Sequence, residues 1–115
     1  MKNKFVTFFS RKPVKSANKR ITVNGNMIGH RVNTLETELL ENIGNTKSEN
    51  DITLDLTNVD YIDSRGISLC ILMYKECQKK GFDFSIESSS NIYRIFNQIN
   101  LTRVFPIKKA ARPLI

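Results

Sequence analysis

Apolar residues recur along this chain at two periods, and the switches between them divide it into strands and helices. Lys19-Arg20-Ile21-Thr22-Val23 alternates polar and apolar, as a strand with one covered face does. Before it, 4–9 (Lys-Phe-Val-Thr-Phe-Phe) is rich in β-prone residues and predicts another strand, while basic 10–18, with Pro13 and Ser16, reads as a turn or loop. Asn24-Gly25 is a strong hairpin dipeptide. A helical pattern follows too soon for a return strand, so the pair is expected to end the strand instead. Over 32–43 the period lengthens: Val32, Leu35, Leu39, Leu40 and Ile43 share one helical face, and Glu36, Glu38 and Glu41 fall elsewhere. Gly44-Asn45 is expected to stop this helix. The polar run 45–51 predicts a surface loop.

Ile52-Thr53-Leu54-Asp55-Leu56 alternates strictly and predicts a short strand. Beyond Asp63-Ser64-Arg65-Gly66 an apolar helix runs to about Lys80, with Ile67, Cys70, Ile71, Tyr74 and Cys77 as its buried face, widened by Leu69, Leu72 and Met73. Lys79-Lys80-Gly81 suits its end: cations favour the negative C-terminus, and glycine accepts a left-handed cap. Phe82, Phe84 and Ile86 alternate with Asp83 and Ser85 as another strand, and Ser88-Ser89-Ser90 reads as a turn and N-cap. Ile92, Ile95, Phe96 and Ile99 make the stripe of a third helix, Leu101–Ile107 predicts a final strand, and 108–115 carries no strong pattern. The order β, β-α-β-α-β-α-β implies right-handed crossovers and largely parallel pairing. The expected architecture is a single α/β domain over 1–115, with a small mixed, mostly parallel sheet and three amphipathic helices on one face.

Length and composition fit that picture. The chain has 115 residues, 40% hydrophobic and 25% charged, enough for one core without metal or disulfide. Cys70 and Cys77 lie seven residues apart on one predicted helix, about 10 Å along its axis. That is too far for a mutual disulfide, and both read as small core residues. With one histidine and no Cys-x-x-Cys, no zinc site and no other metal or cofactor is expected. No apolar run approaches the ~18–20 residues of a membrane span, and Phe5–Phe9 is too short for a secretory leader, so the expectation is a cytoplasmic protein without membrane insertion. Charge is unevenly spread. Residues 1–20 hold seven Lys/Arg and 88–115 five, neither with an acid, while 21–87 holds all eleven acids against six bases. Basic ends of this kind serve solubility or face an acidic partner or anionic surface.

The segment Asp55-Leu56-Thr57-Asn58-Val59-Asp60-Tyr61-Ile62-Asp63-Ser64-Arg65-Gly66-Ile67 resembles the signature of STAS domains of the anti-sigma-factor-antagonist type: a strand with Leu-Asp-Leu, then a loop ending in Asp-Ser-x-Gly-Leu at a helix start. The likeness continues through Tyr74-Lys75, Lys80-Gly81 and Ile92-Tyr93-Arg94-Ile95-Phe96 to Ile99-Asn100-Leu101, and upstream through Gly25-Asn26-Met27 and Asn33-Thr34-Leu35, covering about 20–107. It implies a domain that binds an anti-sigma factor with serine kinase activity, is released when that kinase phosphorylates Ser64, and is reset by a serine phosphatase. Ile28 stands where the family has an aspartate, Arg65 where serine or threonine is usual, and Asn100 where glycine precedes the leucine.

Read from the residues alone, Ser64 enters a helix whose free N–H groups and positive dipole end tolerate a phosphate. A phosphate adds about −1.5 to −2 charge beside Asp63 and near Asp60, which suits a binding switch. The bland counterpart is that Ser64 or Asp63 is an N-cap. The candidate partner-binding set is Asp60, Asp63, Ser64, Arg65, Gly66 and Ile67, with Ser64 the phospho-acceptor. No catalytic set emerges: Ser64 has no recognisable histidine base, Asp-Ser-Arg-Gly is not a Gly-x-Ser-x-Gly elbow, and His30 reads as an exposed loop residue. Two other classes remain open: a non-phosphorylated structural subunit of a transporter or scaffold, and a nucleic-acid or membrane-surface binder built on the basic ends. No nucleic-acid motif is present. A dimer through an apolar edge of the N-terminal strand is a further expectation.

Overall fold

The computed structural model describes residues 18–46 and 51–110; the strand expected at 4–9, the loop at 10–18 except Asn18, and the tail from 111 lie outside them. Strand β1 (Asn18–Asn24) leads to helix α1 (Arg31–Gly44), then β2 (Asp51–Asn58), α2 (Ser64–Lys80), β3 (Asp83–Ser88), α3 (Ser90–Gln98), a 3-10 turn (Leu101–Arg103) and β4 (Ile107–Lys109). The sheet order is β1-β2-β3-β4, and every described pairing is parallel. Ile21, Leu54, Ile86 and Ile107 stand in one row across it. The next row is Thr22, Asp55, Glu87 and Lys108.

Alternation along each strand separates the two faces. Ile21, Val23, Ile52, Leu54, Leu56, Phe84 and Ile86 join the buried residues of all three helices in one core. The helices therefore share one face, as consecutive right-handed crossovers require. The opposite face is polar. There Arg20 bonds the carboxylates of Asp55 (3.1 Å) and Glu87, and Thr53 and Asp55 of β2 are also buried.

Three helical details differ from the periodicity. α2 buries Gly66, Leu69, Cys70, Met73 and Cys77, while Ile67, Ile71, Leu72 and Tyr74 are half-buried flanks. Gly66 brings the helix so close to the sheet that the glycine itself becomes part of the buried face. Gly44 is the last residue of α1 rather than a left-handed cap, and Asn45 closes the helix with φ −90°. Ile99 falls just past α3 and is 48% exposed.

The final strand is shorter and later than its apolar content suggests. Asn100 adopts the left-handed conformation (φ 63°) and throws Leu101–Arg103 into the 3-10 turn. Leu101 and Phe105 are buried from this irregular segment, Phe105 with its ring 5.0 Å from Tyr74. Only Ile107–Lys109 pairs with β3. At α2's end Gly81 takes the left-handed cap (φ 76°), as Lys79-Lys80-Gly81 implies.

Candidate functional site

The carboxyl ends of β1 and β2 meet over the start of α2, and a small set of polar bonds fixes them there. Past the strand ends, Met27 pairs with Ile62 in a single parallel bridge. Met27 N donates to Tyr61 O (3.0 Å) and Asp63 N to Met27 O (3.1 Å). The Asn26 side-chain oxygen accepts from Asp60 N (3.2 Å) and Tyr61 N (3.1 Å). From the other side, Asn91 Nδ2 donates to Asp60 O and Ser89 Oγ to Val59 O, both at 3.4 Å. The Arg31 guanidinium closes the β1–α1 loop on the carbonyls of Asn24 and Asn26.

Asp63 ties this frame to the helix. Its Oδ1 accepts from Gly66 N (3.1 Å), making it the N-cap of α2, and its Oδ2 accepts from Gly29 N (3.0 Å) in the β1–α1 loop. The N–H groups of Gly29 and then Gly66, joined by the Arg65 N–H and charge, hold the carboxyl below its usual value. Gly29 can offer its N–H because it adopts a positive φ of 61°.

With Asp63 as the cap, Ser64 is the first residue of α2 and is exposed. It lines a groove of about 390 Å³ between α1 and α2, together with Asn33, Glu36, Arg65, Ser68 and Leu72. The six residues of the sequence-derived set are contiguous but divide by role. Asp60, Ser64 and Arg65 reach solvent. Asp63 is committed to the cap, Gly66 is buried, and Ile67 packs half-buried on the core.

Sequence reasoning missed Asn26 and Gly29, which hold the loops, and Glu36 and Ser68, which face the groove. The partners of Asn26 and Gly29 lie more than thirty residues away and leave no local signature. Ile28, singled out in the sequence as standing where the family has an aspartate, is 43% exposed; Tyr61, 65% exposed, was missed as a surface residue. Here the sequence did carry a hint. Met27-Ile28 and Tyr61-Ile62 are adjacent apolar pairs in extended chain, so one member of each must point outward.

Residues 12–112 match the family model of the STAS domain. The chain belongs to the STAS domain family. The STAS match spans the whole described sheet and all three helices, so the Asp63–Ser64 corner lies within the matched segment. Elsewhere in this STAS domain both thiols are free and buried, which disfavours the thiolate: burial pushes Cys70 up to about 12, and burial with the Glu76 charge pushes Cys77 up to about 11. His30 is exposed and occupies the N-cap position of α1 without a side-chain cap bond. No described helix is long and apolar enough to cross a membrane, and no cluster of potential metal ligands occurs among the described residues.

Proposed function

We propose that this STAS domain is an anti-sigma-factor-antagonist-like signalling protein, working by protein binding rather than catalysis. In this reading it binds an anti-sigma factor with serine kinase activity through Asp60, Ser64 and Arg65 at the head of α2. Phosphorylation of Ser64 releases the partner, and a serine phosphatase restores binding. An ATP-dependent switch of this kind operates in the cytoplasm.

The observation that carries the proposal is the exposed Ser64 hydroxyl at the head of a helix whose end is already occupied by a carboxylate. Asp63 takes the Gly66 N–H and lies against the Arg65 N–H. A phosphate on Ser64 therefore adds charge beside an existing anion instead of settling into an empty anion site. The cap stays intact, and the new charge and bulk are directed outward, where they repel a docked partner.

Affinity capture from the native cell extract tests this, comparing wild type with Ser64→Asp by mass spectrometry. The expected result is an ATPase-fold serine kinase with wild type and its loss with Ser64→Asp. The exposed apolar Ile28 and the cation at Arg65 favour a second reading, a permanent STAS subunit of a transporter or signalling scaffold. Capture of the same assembly by both proteins selects it and removes the switch.

A further inference from the structure

We propose that the chain's own N-terminal segment, residues 4–9, docks as a strand along the open edge of β3, in a groove that begins at the amino ends of the strands. Ser64 lies beyond their carboxyl ends, and the proposal does not depend on the reading of that residue.

β4 reaches only the second half of β3, where it pairs with Ile86, Glu87 and Ser88. Ile86 N donates to Pro106 O (3.0 Å) and Ser88 O accepts from Ala110 N (2.8 Å), so these even-numbered residues turn their main chain toward β4. Main-chain groups alternate sides along a strand. Those of Phe84 therefore turn the same way, and no described strand stands in register with them there. A groove of about 580 Å³ runs beside this stretch, walled by Tyr74, Phe84, Val104 and Pro106, and it continues over the polar face of the sheet to Asn18. Val104 is 49% exposed within it. An unpaired strand edge beside an apolar wall is a place that sheet proteins cover.

Reach, composition and charge name the occupant. Asn18 lines the groove and stands in register with Asp51 and Asp83, so two strand spacings put β3 roughly 10 Å from the point where residues 1–17 join the sheet. Residues 10–17 can span up to about 26 Å, enough to carry 4–9 to the edge of β3. That segment, Lys-Phe-Val-Thr-Phe-Phe, is apolar and β-prone. Residues 1–17 carry Lys2, Lys4, Arg11, Lys12 and Lys15 and no acid. The charged groups of the groove are Asp51, Asp83 and Glu87 against Arg20 and Lys108, and Arg20 is already bonded to Glu87 and Asp55. Carboxylates are thus in excess where a basic segment would lie. The tether holds the segment at an effective concentration on the order of millimolar. Residues 4–9 fall outside the family match at 12–112, so this cover is an addition to the STAS unit.

A photo-crosslinking phenylalanine at position 8 of the purified full chain tests the proposal. The expected product is an adduct within one chain, joined to the tryptic peptide 81–94 or 104–108. Val104→Lys sets a cation at an exposed position of the groove and should remove most of that adduct, with a thermal midpoint near wild type. Hydrogen exchange is the second measurement. The Phe84 amide should exchange several-fold faster in Phe5→Ser/Phe8→Ser than in wild type, while the Leu54 amide in the middle of the sheet keeps its rate.

Adducts confined to β1 would put the segment at the opposite edge of the sheet and overturn the proposal. Adducts that join light to heavy chains in an isotopic mixture overturn it too, because the occupant is then a second copy. So does the absence of any adduct on the two peptides, or a Phe84 amide that exchanges equally in both proteins. Ser64→Asp should leave adduct and exchange as they are, so the cover and the switch stand or fall separately.

Discussion

Gly66 and Ser64 are two residues apart in one motif, yet their side-chain positions meet opposite surroundings. A Cβ on Gly66 would lie 2.6 Å from both the Met27 carbonyl oxygen and Ile62 Cγ1, and 2.9 Å from Met27 Cβ. The carbonyl cannot retreat, because it accepts the Asp63 N–H. The glycine of the motif is thus required by packing, since it lets α2 rest on the Met27–Ile62 bridge. Gly66→Ala should cost about 1–3 kcal/mol through overpacking. Ser64→Ala and Ser64→Asp, at an exposed position outside the cap bonds, should stay within about 0.5 kcal/mol of wild type. Urea unfolding of the three variants measures both statements. A collapse of either Ser64 variant would make that residue structural and weaken its role as a switch.

Elements follow the same division between what a short window specifies and what distant chain decides. Period-two and period-3.6 patterns located β1, α1, β2, α2, β3 and α3 within a few residues, because each turns an apolar stripe to one core. The final strand was misplaced, since the apolar run Leu101–Ile107 reads alike whether its residues pack from a strand or from a 3-10 turn. The left-handed Asn100 decides for the turn. The candidate site was legible as the Asp-Ser-x-Gly corner but not as a frame. Asn26 lies 34 and 35 residues from the amides it accepts, Asp60 and Tyr61, and no local pattern marks so distant a pair. That clasp is open to test. Asn26→Ala removes both acceptor bonds and should lower stability by about 1 kcal/mol. It should also speed hydrogen exchange at the Asp60 and Tyr61 amides more than at β3. Uniform acceleration over the sheet would mean the frame has no local role.

Across the whole molecule, two carboxylates fasten faces that the hydrophobic core does not reach. Asp63 links the two loops at the carboxyl ends of the strands, and Asp55 anchors Arg20 on the polar side of the sheet. Burial alone pushes Asp55 up, but the hydroxyl and N–H of Thr57 and the Arg20 guanidinium together outweigh it and hold the carboxyl below its usual value. Asp63 is held low by the Gly29 and Gly66 amides. For a carboxyl whose pKa is lower folded than unfolded, the stabilisation is complete above the unfolded value of ~3.9 and is lost as pH falls through the folded value. The chain already carries a net charge of +7 at pH 7, so protonating acids adds self-repulsion in the same acidic window. The urea midpoint should therefore be level from pH 7 to about 5 and fall steeply below about 4. Added salt should recover part of the loss by screening repulsion, but not the part due to the two bonded carboxylates. The double variant Asp55→Asn/Asp63→Asn should start less stable at pH 7 and decline less on acidification, so that its curve approaches that of wild type as pH falls through the lowered folded values of the two carboxyls. Two parallel curves would place the acid sensitivity elsewhere and remove these carboxylates as the fasteners of the polar face and the Ser64 corner.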